Sequence, residues 1–350
     1  MANLTYKRIL IIRFSSIGDI ILTTPMIRFI KQKFPEARID FITREYFSNL
    51  IEYHPMINQV FTISSGSFLE LMSCVSKLKN NNYDLIIDLH SNLRSFIIKQ
   101  LLFNCKKITY KKDIFKRILL TEFKINLFKN KTHVVERYFK TLSLIDKSIK
   151  SFSHLPLPEI YSTPQIENKI KLWLNNLKLE KNEILIGFNP GAKYFTKRWP
   201  IDKFIELGHQ LKKQFNIRII IFGGNSDIDV VSEIADGIGE KAVSACEELN
   251  LLETFELLKH LRFLITGDTG IMHLAKSANI PVIAIFGPTV LEFGFWPYGK
   301  DDVIIEKNLH CRPCSLHGTQ ECPINTHKCM EDITSNEVLV FCINKLRLIQ

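Results

Sequence analysis

A few strand-to-helix turns hold the side chains with the clearest chemical capacity. In Ser15-Ser16-Ile17-Gly18-Asp19 a carboxylate follows a run of small residues at the end of an apolar segment. Placed there, it can accept the proton of a hydroxyl as that hydroxyl attacks. An aspartate at a helix start is also a common cap, and Asp19 taken alone reads more naturally as one. The run Asn189-Pro190-Gly191-Ala192-Lys193-Tyr194-Phe195-Thr196-Lys197-Arg198-Trp199-Pro200 is longer and richer than a simple turn requires. Gly191 permits close backbone approach to a ligand, while Thr196 and Lys197 offer a hydroxyl and a cation to a diphosphate. The plainer alternative is a surface loop with ordinary charges. Thr266-Gly267-Asp268-Thr269-Gly270-Ile271-Met272-His273 brings a hydroxyl, two glycines and a helix N-terminus together, which is an anion-binding arrangement. His273 falls in the first turn of that helix, within reach of a phosphate or sugar hydroxyl, although a lone helical histidine is more often structural.

Gly223-Gly224-Asn225-Ser226-Asp227 also follows a strand, and an acidic residue beyond such a turn commonly holds a ribose diol. Asp227 and Asp229 are the two candidates. The first half lacks a G-x-G-x-x-G run, since Gly18 stands alone, so a nicotinamide-type dinucleotide site is disfavoured and a mononucleotide-sugar donor in the second half fits better. Cysteines form a separate cluster: Cys311-x2-Cys314, then seven residues to Cys322 and six more to Cys329. Four thiolates so spaced in a reduced compartment can close a structural zinc or iron site, with free thiols on a compact loop as the alternative. Cys74, Cys105, Cys246 and Cys342 lie in apolar contexts suited to a core.

These turns need scaffolds that end strands and begin helices at one edge. Apolar runs over 8–14, 38–43, 59–63 and 84–90 read as short parallel strands, with a helix over 68–79. After the first run, Ile20, Ile21, Ile27, Ile30 and Phe34 share one helical face that stops near Pro35. A second unit repeats the pattern with strands over 184–189, 217–223, 263–267 and 281–286. Between them, 151–165 carries Pro156, Pro158 and Pro164. The expected organisation is an α/β protein of two Rossmann-like domains, 1–155 and 181–350, joined by a linker over 156–180. Parallel sheets bind ligands beyond the carboxyl ends of their strands, so two such units facing one another would form a cleft for two substrates.

Composition narrows the class. With 46% hydrophobic and 23% charged residues the 350-residue chain has the balance of a globular protein rather than a disordered one. Net charge is +10, and much of the excess lies between Lys99 and Lys150, interleaved with Phe103, Tyr110, Phe115, Phe123 and Phe128. Such a surface attracts phosphates, anionic sugars or an anionic membrane face, or is simply a solvated basic face. No run approaches the roughly 20 apolar residues of a membrane span. The polar opening leads straight into a strand, so no secretory signal is expected and a cytoplasmic protein is.

The order of the motifs is more specific than any one of them. Ser-Ser-Ile-Gly-Asp…Thr-Thr-Pro at 15–25, Asn-Pro-Gly-Ala…Lys-Arg-Trp-Pro at 189–200 and Gly-Asp-Thr-Gly-Ile-Met-His-Leu-Ala at 267–275 resemble the ADP-heptose:lipopolysaccharide heptosyltransferase family over nearly the whole chain. The resemblance implies a GT-B fold and an inverting transfer that needs no catalytic metal. It places the general base on Asp19, reversing the preference for a mere cap. It puts the donor-diphosphate lysine on Lys197 and the donor motif on Asp268, Thr269, Gly270 and His273. The family usually has a glutamate for the adenosine ribose near position 227, where this chain has aspartates. Asp88 to Ser95 resembles an acceptor-side segment, in which Arg94 would meet an acceptor phosphate or carboxylate, a surface arginine being the plainer reading. The implied partners are ADP-heptose, the lipopolysaccharide core and the inner face of the inner membrane, touched peripherally through the basic first domain, with no nucleic acid. Rival expectations are transfer to a protein or another glycan, and a nucleotide-sugar epimerase of the same architecture.

Overall fold

The computed structural model describes residues 5–147, 155–246 and 248–347. Lys150 and the start of the proline-containing stretch 151–165, up to 154, lie outside them. Two compact units emerge, the first holding the described residues of 1–113 and 132–161, the second those of 114–131 and 162–350. The chain therefore changes unit three times, and the basic, aromatic segment 114–131 belongs with the second unit rather than the first. Much of the expected linker is also ordered: the helix Pro164–Asn176 starts on a Thr163 cap with proline in its first turn, where a missing N–H costs nothing.

The first unit is built on a parallel sheet of five strands, β1 (Arg8–Ile12), β2 (Arg38–Arg44), β3 (Gln59–Ile63), β4 (Leu85–Asp88) and β5 (Lys106–Thr109), in the order β3-β2-β1-β4-β5. β1 is central because four of its five residues are buried, and it pairs Ile9 with Ile39 on one side and with Leu85 on the other. An apolar run is what a strand covered on both faces requires. The single helix expected after β1 is two, Ile17–Ile21 and Thr24–Lys33, with Pro25 in the first turn of the second. Thr23 and Thr24 donate their hydroxyls to the carbonyls of Ile20 and Ile21 at 2.7 and 2.8 Å, closing the first helix. Ile20, Ile21, Ile27, Ile30 and Phe34 are nonetheless all buried. Each such side chain contributes about 1.5–3 kcal/mol by leaving water.

The second unit carries β6 (Ile184–Asn189), β7 (Ile217–Ile221), β8 (Ala242–Ser244), β9 (Leu264–Gly267), β10 (Val282–Phe286) and β11 (Val303–Glu306), ordered β11-β10-β9-β6-β7-β8 and parallel at every pairing. Its core gathers Ile186, Phe188, Trp199, Phe204, Ile219 and Ile265 with Met330 and Val338 from the C-terminal helices. Trp199 fixes the turn after β6: its indole N–H donates to the Ile333 carbonyl at 2.9 Å and its ring meets Phe204 edge-on at 4.8 Å.

Candidate active site

In the first unit, Asp19 is the third residue of the helix Ile17–Ile21. Its Oδ2 accepts from the Ser16 backbone N–H at 3.1 Å and from the Ser16 hydroxyl at 2.8 Å, so the cap expected from sequence exists. Its Oδ1 lies 2.6 Å from the guanidinium of Arg13 and 3.5 Å from the Tyr138 hydroxyl. Arg13 is itself buried and forked, donating to the Ser15 carbonyl at 2.7 Å and to the Leu89 carbonyl. Burial works against the charge on Asp19, but Arg13 and the Ser16 hydrogen bonds outweigh it and hold the carboxyl below the usual range. His90 packs edge-on against Phe14 in the same unit; burial, aided by the charges of Arg13 and Lys112, pushes it down to about 4, so the ring is neutral at physiological pH.

The segment beginning at Asp88 is largely structural. Asp88 is fully buried, accepts from the N–H groups of His90 and Ser91 and from the Ser95 hydroxyl, and pairs with Lys99 at 2.7 Å. Arg94 is half-buried in the first turn of the helix Leu93–Leu101. Its guanidinium lies so close to Gly66 that a side chain there would come within 2.9 Å of it, and Gly66 sits at φ +68°, where glycine is at ease.

In the second unit three turns converge. The Lys197 ammonium lies 2.7 Å from the Asp268 carboxylate and donates to the Asp268 carbonyl at 3.1 Å. Asp268 also accepts from the Thr289 hydroxyl at 2.8 Å. Burial disfavours its charge, but Lys197 and Thr289 prevail and its carboxyl is held low. Gly267 allows this approach: a Cβ on it would stand 2.8 Å from the Lys197 carbonyl oxygen. Next to Asp268 begins the helix Gly270–Ser277, whose N-cap residue Thr269 makes no side-chain cap. Instead the Thr269 hydroxyl is 3.1 Å from that of Thr266 and accepts from the Asn189 amide at 3.2 Å. Amides of the first helical turn, with the positive end of the helix dipole, thus remain for an anion beside a lysine. His273, 4% exposed, sits in that first turn with its ring near Phe295.

Two expected ligand contacts are spoken for within the fold. The Thr196 hydroxyl donates to the Thr319 carbonyl at 2.9 Å and accepts from the Thr319 N–H at 2.8 Å, tying its turn to the cysteine-containing loop. The Asp227 carboxylate accepts from Gly224 N–H at 3.1 Å and from Arg198 at 3.2 Å. It also fills the space beside Gly191, where a Cβ would lie 2.4 Å from Asp227 Oδ2. Gly191 therefore makes room for Asp227, while Asp229 is exposed. Arg13, Tyr138 and Thr289 are the participants that sequence reasoning missed. Only Arg13 left a mark, as a charge inside an otherwise apolar run.

The zinc or iron site expected at Cys311, Cys314, Cys322 and Cys329 meets no matching ligand group: among the described residues no three His, Cys, Asp or Glu side chains are placed to hold a metal ion. None of the four is in a disulfide. Burial and the neighbouring Cys311 push Cys314 up to about 11, and burial with Cys314 nearby pushes Cys329 up to about 12. Hydrogen bonds tie the loop, among them Cys314 N–H to the Pro288 carbonyl at 3.1 Å and His327 N–H to Cys322 Sγ at 3.4 Å. Of the other cysteines Cys74, Cys246 and Cys342 are in the core and Cys105 is half-buried.

Comparison with known proteins places this geometry. Residues 71–324 match the family model of Glycosyltransferase family 9 (heptosyltransferase). Lipooligosaccharide heptosyltransferase 2 of Haemophilus ducreyi is 27% identical over 85% of this chain and 88% of its own length. The lipooligosaccharide heptosyltransferase 2 of Campylobacter jejuni is 24% identical over 95% of this chain and 96% of its own. Among solved structures, a family 9 glycosyltransferase from Veillonella parvula superposes with a TM-score of 0.82 at 22% identity, covering 98% of each chain. Escherichia coli ADP-heptose LPS heptosyltransferase II gives 0.76 at 21% identity, covering 97% of this chain and 98% of that one. The fold is the GT-B class expected from the sequence.

Proposed function

The chain belongs to glycosyltransferase family 9, the heptosyltransferases, and from that premise we propose that it transfers a heptose from ADP-heptose to the lipopolysaccharide inner core with inversion at the anomeric carbon. Family membership favours transfer over interconversion of the donor, and the lipopolysaccharide and lipooligosaccharide enzymes among its relatives favour a core acceptor over a protein. The observation that carries the donor half is the Lys197 ammonium, held by Asp268 beside the uncapped N-terminus of the helix Gly270–Ser277.

In this reading the donor diphosphate lies on the helix amides, with Lys197 and His273 answering its charge and Thr269 and Gly270 shaping the turn. Asp268 is a positioning residue, because it holds the lysine. Asp19 takes the proton of an acceptor hydroxyl; the oxygen forms its bond to the anomeric carbon as the bond to the diphosphate breaks, and the electron pair leaves with ADP. Asp19 has two oxygens and about four acceptor positions. Three are well used by Ser16 and Arg13, and the longest contact, 3.5 Å to Tyr138, marks the one an acceptor hydroxyl takes over. Arg13 lowers the basicity of Asp19 but guarantees that it is ionised when the acceptor arrives. Arg94 is assigned to an acceptor anion, and Asp229, which is exposed, is better placed than Asp227 to meet a ribose.

A donor screen by thermal shift tests this. ADP-heptose at 100 times its dissociation constant should add about 2.7 kcal/mol to stability, and Lys197→Ala should abolish most of that gain. A clear preference for another nucleotide sugar would overturn the donor.

A further inference from the structure

The segment 114–131 turns an apolar face away from the unit it belongs to. Its helix, Ile114–Phe123, buries Leu120 and Thr121. On the same stripe Arg117 donates to the Phe293 carbonyl at 3.1 Å and lies over the rings of Phe293 and Phe295, while Lys124 donates to the carbonyls of Thr121 and Pro313 at 2.7 and 2.6 Å. Arg117, Leu120 and Thr121 share one helical face and, with Lys124 just past the helix end, fix which side looks inward. Turned away from it are Phe115, Ile118 and Phe123, exposed by 70, 41 and 66%, with Ile114 on the flank at 54%, and the chain beyond the helix continues with Ile125 and Leu127 at 49 and 45%. Single exposed apolar residues are ordinary, but several large ones along one short segment mark a candidate docking surface. With Arg117 and Lys124 engaged inward, the segment still offers Lys116, Lys129 and Lys131 against Glu122 alone.

We propose that this face docks on an anionic lipid bilayer, its apolar side chains entering the boundary between headgroups and acyl chains and its lysines meeting lipid phosphates. Charge selects this occupant. A second copy of the segment would set like charge on like, whereas an anionic bilayer offers both an apolar layer and the opposite sign. Among the described residues no helix is long and apolar enough to cross a membrane, so the contact is lateral. The inference moves the expected membrane contact from the first domain to an element of the second unit. It deepens the proposed function, since a lipid-anchored acceptor is held in such a bilayer, but lipid binding is measurable without any transfer.

The test is co-sedimentation of the full chain with vesicles of phosphatidylcholine alone or mixed with phosphatidylglycerol. Binding should favour the mixed vesicles by about tenfold or more and weaken with added salt. Phe115→Ser/Ile118→Ser/Phe123→Ser should lose about tenfold or more in affinity for them while keeping the wild-type melting temperature. Lys129→Glu/Lys131→Glu should lose the preference for phosphatidylglycerol. Both variants should act on a lipid-free acceptor like wild type. Equal binding to both vesicles, no binding, or variants that bind like wild type would overturn the proposal. So would an oligomer in sedimentation velocity that the serine variant dissolves while vesicles go unbound, for then a second copy covers the face. Should vesicles bind as expected and no heptose transfer occur with any acceptor, the functional reading falls and the docking surface stands.

Discussion

In the proposed mechanism Asp19 acts as a carboxylate already ionised and held still, and both properties come from Arg13 and Ser16. Asp19→Asn should lower kcat/KM by about 10²–10⁴-fold, the usual worth of a positioned base, with circular dichroism checking that the fold survives. The pH dependence has a definite sign. Because the Asp19 carboxyl is held low, the acid limb of kcat/KM should fall below the ordinary aspartate value of about 3.9. Arg13→Gln removes the lowering charge and leaves the burial, so the limb should move upward; a limb that stays put would contradict the role given to Arg13. Stability follows the same linkage: what the Asp19 pairing contributes is present above the unfolded-state pKa and is lost as pH falls through the lower folded one. Asp19, Lys197 and His273 could be singled out as candidates because turn motifs announce themselves locally. Tyr138 was not, since it reaches Asp19 from 119 residues away and nothing near it in sequence points back.

Elements fix how sharply those residues are placed. The turn after β6 is locked by Trp199, by Arg198 on the Ala192 carbonyl at 2.9 and 2.8 Å, and by Asp227 packed against Gly191. Gly191→Ala would force a methyl group to 2.4 Å from Asp227 Oδ2. It should cost about 1–3 kcal/mol of stability, as overpacking does, and weaken donor binding; denaturant unfolding and a nucleotide titration would check both. At this scale the inner strands were readable, because burial on both faces demands unbroken apolar runs. The strands that escaped, β5, β8 and β11, all stand at sheet edges, where one neighbour is missing and residues such as Lys106, Lys107 and Glu306 are tolerated. Pro25 was the visible sign that the helix after β1 is two, and Thr163-Pro164 the sign that the linker holds a helix.

For the whole molecule, two parallel-sheet units were foreseeable from the alternating apolar runs and the family match from the order of three motifs, whereas the return of 114–131 to the second unit was not. That segment is amphipathic in pattern alone, and only its contacts with Phe293 and Pro313 reveal which side faces inward. Division of labour between the units predicts separable defects. Lys197→Ala should raise the donor KM and lower kcat, while Asp19→Asn should leave the ADP-heptose thermal shift within error of wild type. The most direct test of the central claim is a transfer assay with purified enzyme, ADP-heptose and a lipid A–core acceptor, read by mass spectrometry and by NMR of the new anomeric centre. The account predicts an acceptor heavier by one heptose, inverted relative to the donor, with wild type and almost none with Asp19→Asn. Near-native turnover by a folded Asp19→Asn enzyme, or retention of the donor configuration in the product, would contradict it.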